Sequence, residues 1–82
     1  MTTSKQDLRA WFDKGVAKGY THMIVVCDTF DHMDCPVYVL PSEDVKVVET
    51  TYAKQEMAQI MEVYNLSMDR EQQLAQDRAF NY

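Results

Sequence analysis

Glycine and proline are scarce in this chain, with two of each among 82 residues. That scarcity excludes Gly-rich phosphate loops and nucleophile elbows, whose tight turns depend on glycine. No apolar run approaches the roughly 20 residues of a membrane-spanning helix. The opening segment, Met1-Thr2-Thr3-Ser4-Lys5-Gln6-Asp7, has no apolar stretch of the secretory kind. A cytoplasmic protein is therefore expected. Cysteine is sparse too: Cys27 and Cys35 stand outside CxxC spacing, which favours free thiols over a disulfide or a zinc site. Basic charge is in deficit, with 8 Lys and Arg against 13 Asp and Glu and a net charge of −5. Nucleic-acid binders display the opposite balance, so direct nucleic-acid binding is not expected.

What is present is ordinary globular material, 46% hydrophobic and 26% charged. Residues 1–82 read as one domain, whose modest core buries about 60% of the surface its unfolded chain exposes. Ser4 is a fitting N-cap for a helix over Lys5 to Lys18, with Asp7 placed for a capping box. Leu8, Trp11, Phe12, Gly15 and Val16 share one helical arc, and Gly19 suits the C′ position. His22–Cys27 is β-branched and almost wholly apolar, as expected of a strand covered on both faces or lying in an oligomer interface. Pro36–Leu40 forms its hairpin partner, with Pro36 confined to a strand start or a sheet edge.

Ser42 reads as the N-cap of a second helix, with Glu43 and Asp44 in its first turn and Val45, Val48 and Tyr52 on its inner face. Met57, Ile60, Met61 and Tyr64 also match a helical face, but a two-stranded hairpin is marginal alone. That favours a third strand over about Gln59–Leu66. A last helix is expected from Arg70 to about Phe80. The fold class is α+β, a small antiparallel sheet of about three strands packed with helices in the order α-β-β-α-β-α.

Candidate chemistry is thin. Asp28, Asp31, His32 and Asp34 surround the hairpin turn and carry donors suited to a divalent cation, although their spacing matches no known motif and Asp is common in turns. Lys5, Arg9, Lys14 and Lys18 are the one basic cluster on a single element and the candidate contacts for an anionic, nucleotide-like ligand. Their stems also serve to flank the apolar arc. His22 reads as a hydrogen-bonded edge residue. Trp11, Phe12, Tyr20, Phe30, Tyr38, Tyr52 and Tyr64 are assigned to the core. The final helix has a thin apolar face, and Phe80 and Tyr82 follow it; with Leu74 they are candidate contacts of a homo-oligomer.

The residues Thr21-His22-Met23-Ile24-Val25-Val26-Cys27-Asp28-Thr29-Phe30-Asp31, with Pro36-Val37-Tyr38-Val39, Met61-Glu62-Val63-Tyr64 and Arg78-Ala79-Phe80-Asn81-Tyr82, resemble a family of small phage and bacterial proteins. The resemblance implies a setting and no activity: small phage-associated proteins frequently sequester a host protein or a nucleotide signal. The expectation is a small binding protein without catalysis or cofactor, acting on a host protein or a small ligand. The competing readings are a metal-assisted enzyme at the Asp/His turn and a structural subunit with no ligand.

Overall fold

The computed structural model describes residues 4–30 and 33–82. Helix α1 spans Lys5–Ala17 and opens with a complete capping box. The Asp7 N–H donates to Ser4 Oγ at 3.1 Å, and the Ser4 N–H donates to Asp7 Oδ2 at 3.2 Å. Gly19, at a φ of 79°, turns the chain out of the helix, in a conformation that costs glycine nothing.

Strand β1, His22–Asp28, lies in the middle of a sheet ordered β2-β1-β3, between β2 (Met33–Val39) and β3 (Ala58–Asn65). Both pairings are antiparallel. Met23, Ile24 and Val25 are at most 2% exposed, because helices cover both faces of this strand. Each such side chain contributes about 1.5–3 kcal/mol of burial. On the first face Met23, Val25 and Tyr64 pack against Leu8 and Phe12 of α1. On the second, Ile24, Val26, Val39 and Val63 pack beneath Val45, Val48 and Tyr52 of helix α2, Val45–Ala53. The uniform apolarity of residues 23–26 is thus the signature of a doubly covered strand. Pro36 falls opposite Val25 in edge strand β2, where a missing N–H is tolerated.

A bulge opposite Val25 and Val26 leaves Met61 without a partner in β1, between Glu62 and Ile60. Met61 packs with the first-face cluster. The extra residue therefore sends two consecutive β3 side chains, Met61 and Glu62, towards that face.

Two helix expectations are corrected. The N-cap of α2 is Asp44, whose Oδ1 accepts the N–H groups of Lys46 at 2.8 Å and Val47 at 3.4 Å; Ser42 does not cap it. The preceding residues are committed to a reciprocal turn. The Glu43 N–H donates to the Leu40 carbonyl at 2.9 Å, while the Leu40 N–H donates to Glu43 Oε1 at 3.0 Å. Both carboxylates consequently precede the first turn of the helix. Helix α3 is only Arg70–Leu74, and the chain does not remain helical to Phe80. Residues Ala79–Asn81 run parallel to β3 instead: the Val63 N–H donates to the Ala79 carbonyl at 2.7 Å, and the Asn81 N–H to the Val63 carbonyl at 3.0 Å. Unpaired backbone groups on a strand edge are costly when buried, and the thin apolar face of residues 75–80 offers a helix little in exchange.

Gln73 completes that edge. It is 1% exposed, and its amide behaves as a strand partner for Asn65, accepting the Asn65 N–H at 2.8 Å and donating to the Asn65 carbonyl at 2.9 Å. The same side chain donates to the Asp69 carbonyl at 3.1 Å and accepts from Asn81 Nδ2 at 3.1 Å. Gln73→Leu strands several buried polar groups at once, at about 1–3 kcal/mol for each group left unpaired. A net loss of about 3 kcal/mol is expected, read as a fall in the urea midpoint with an unchanged m-value.

Candidate functional site

The four candidate basic residues, three within α1 and Lys18 at its C-cap, fall on two edges of the helix. Lys5 Nζ donates to the Leu74 carbonyl, and Arg9 holds Glu71 through both carboxylate oxygens, at 2.9–3.1 Å. Lys14 and Lys18 lie about half a turn round the helix from that pair and are exposed. The structure does not gather the four around one anion.

Arg9, and then Arg70, hold the Glu71 carboxyl down at about 2 by hydrogen bonds. Arg70 also pairs with Asp13, at 2.7 Å. A carboxyl whose folded value lies below its ordinary 4.5 adds stability above that pH and loses it as the pH falls towards 2. Glu71→Gln is therefore expected to flatten the acid limb of a stability–pH profile between pH 4.5 and 2, with a smaller difference at high salt.

Around the hairpin turn, Asp31 and His32 lie outside the described residues. Asp28 and Asp34 project to opposite faces of the sheet. Asp28 Oδ1 accepts the Phe30 N–H at 2.8 Å and borders a second-face cleft, whereas Asp34 sits with Leu8, Met61 and Glu62 on the first face. Among the described residues no three His, Cys, Asp or Glu side chains are placed to share a metal ion.

Of the three candidate interface residues, Leu74 is 4% exposed and belongs to the first-face core. Phe80 bridges to Val63 of the same chain, and Tyr82 donates to Glu49 at 2.5 Å beneath the ammonium of Lys46. The tail is thus docked on its own sheet. At the other end of β1, His22 Nδ1 lies 3.0 Å from Thr21 Oγ1, while its buried Nε2 has no partner among the described residues. Burial lowers its pKa.

Among the described residues, the hairpin end of the second face is left open. Helix α2 has nine residues, about 13 Å, and cannot cover strands of seven or eight residues, about 25 Å. Beyond its last turn lies a cleft of about 190 Å³ lined by Val26, Val37, Tyr52 and Ala58, with the Cys35 thiol beside them and Asp28 and Glu56 as its acidic members.

Three large apolar side chains surround this end: Phe30 at 77% exposed, Met57 at 57% and Met33 at 44%. The register assembles them. Met33 and Ala58 flank Asp28 from either side, and the Thr29 N–H donates to the Met57 carbonyl at 2.8 Å. Phe30 is therefore corrected from core to surface: it sits in the turn, beyond the last strand pair. An aromatic among turn residues, outside any periodic face, was the available signal.

Met57 is the only described non-glycine residue at positive φ, 60°. The left-handed region costs an L-residue about 1–2 kcal/mol. Met57→Gly is expected to stabilise the fold by about 1 kcal/mol, seen as a higher melting temperature.

No helix among the described residues is long and apolar enough to cross a membrane. Compared with protein-family models, curated proteins and solved structures, the chain matches none of them.

Proposed function

We propose that this chain is a small binding protein, without chemistry of its own, that holds another protein against the hairpin end of its sheet. One observation supports this reading most directly. Phe30, Met33 and Met57 stand exposed at the hairpin end, where Met57 lines an apolar cleft and Met33 pairs opposite Asp28 of its border, while the outer edge of β3 is closed by Gln73 and the tail. Clustered apolar groups at the surface cost solubility and serve recognition. Aromatic and methionine side chains are the types enriched where proteins meet.

The cleft, at about 190 Å³, falls below the roughly 300–1,000 Å³ typical of small-molecule pockets. It suits one anchoring side chain better than a nucleotide. The basic residues of α1, two of them held by α3, do not offset that disadvantage. Sequestration or inhibition of a host protein, as a phage setting suggests, is the form of function that fits this surface.

A photo-crosslinking amino acid placed at position 30, in cells, tests the reading against the same group at position 47. Val47 is equally apolar and 63% exposed, but lies on the outer face of α2, away from the cleft. A discrete adduct is expected from position 30 alone, and it should vanish when Met33 and Met57 are both serine. Equal adducts from both positions, or none from position 30, would reject the proposal.

A further inference from the structure

We infer that the hairpin-end cleft takes a basic segment of its partner, with one apolar anchor seated beside Val26, Val37 and Tyr52 and cationic groups set against Asp28 and Glu56. The inference rests on the docking surface proposed above and adds the chemistry of its occupant.

Among the described residues, the charge around the cleft is of one sign. Asp28 and Glu56 border it, and no Lys or Arg is among its lining residues. The C-terminal end of α2, with its partial negative charge, opens beside it, and the last turn of that helix carries no basic residue to offset the dipole. Lys54 follows at the cap, yet its side chain lies on the outer face of α2 with Thr50 and Thr51. A chain of net charge −5 also repels acidic partners at long range and draws basic ones in. An apolar floor with an anionic border is complementary to an apolar anchor flanked by lysine or arginine.

Backbone strain is stored at the same place. Met57, at a φ of 60°, is held by the bond from the Thr29 N–H to its carbonyl. Strain kept at an exposed position is a recurrent mark of functional surfaces. Here it places a flexible thioether beside the cleft, suited to packing around an incoming side chain.

Three synthetic peptides of equal length test the inference by fluorescence anisotropy against the full chain. One carries a central tryptophan flanked by lysines, one the same tryptophan flanked by glutamates, and one the lysines with alanine in place of tryptophan. The lysine–tryptophan peptide is expected to bind about tenfold more tightly than either control. Asp28→Asn combined with Glu56→Gln should weaken it about fivefold, as two exposed charge pairs predict. Asn at position 28 retains an acceptor for the Phe30 N–H, so an unchanged melting temperature is expected.

If the lysine- and glutamate-flanked peptides bind equally, and both are lost in the Phe30→Ser, Met57→Ser double variant, the docking surface stands and the basic partner is overturned. If no peptide responds to either double variant, both are overturned. Concentration-dependent self-association of the unaltered chain, abolished by Phe30→Ser with Met57→Ser, would make the occupant a second copy and would equally overturn the inference.

Discussion

Burial of β1 on both faces is the constraint from which the rest of this small structure follows. A strand with apolar side chains at every position from Met23 to Val26 cannot leave either face to water, so each face must recruit a helix. Helix α1 meets the first face through Leu8 and Phe12, and α2 meets the second through Val45, Val48 and Tyr52. The antiparallel neighbours then satisfy its backbone on both sides. In a chain of 82 residues this arrangement obtains two small cores from one strand.

Centring the sheet on β1 makes β2 and β3 its edges, and exposed edges invite unwanted pairing. The two are managed differently. On β2, Pro36 stands within the strand and has no N–H to offer. On β3, a side-chain amide and a short piece of tail replace a missing strand, with Gln73 serving Asn65 and residues 79–81 serving Val63. That substitution explains why a glutamine is buried here. It also explains why the aromatic tail, which reads in sequence as oligomer contact, lies against its own sheet.

The same economy leaves the hairpin end uncovered. A nine-residue α2 cannot span the second face, and the turn that follows it needs a left-handed residue at position 57. The open surface therefore arises where the covering helix is too short, and its apolar and acidic composition is what a binding role would use. Elsewhere, the Lys5 and Arg9 contacts to α3 show basic residues holding the last helix to the first.

Much of this architecture was legible in the residues because its signals are local. Ser4 and Asp7 form a capping box within one turn, Gly19 supplies the left-handed exit from α1, and the apolar run 23–26 marks a strand covered on both faces or set in an oligomer interface, of which the structure shows the first. The order of the other helices and strands follows from such periodic and local preferences, whereas the third strand after α2 follows, against a helical periodicity, from the marginal stability of a two-stranded hairpin. Where signals compete over a few residues the reading failed: the reciprocal Leu40–Glu43 turn moved the cap of α2 from Ser42 to Asp44. Tertiary structure alone decided the rest. Register placed Asp28 and Asp34 on opposite faces, and a bulge put Met61 and Glu62 together on one. The unsatisfied edge of β3 ended α3 at Leu74 and drew in Gln73 and the tail. Strand pairing also gathered Phe30, Met33 and Met57, which no periodicity connects. These outcomes depend on partners many residues away, and a backbone group seeking its hydrogen bond leaves no local mark in the sequence.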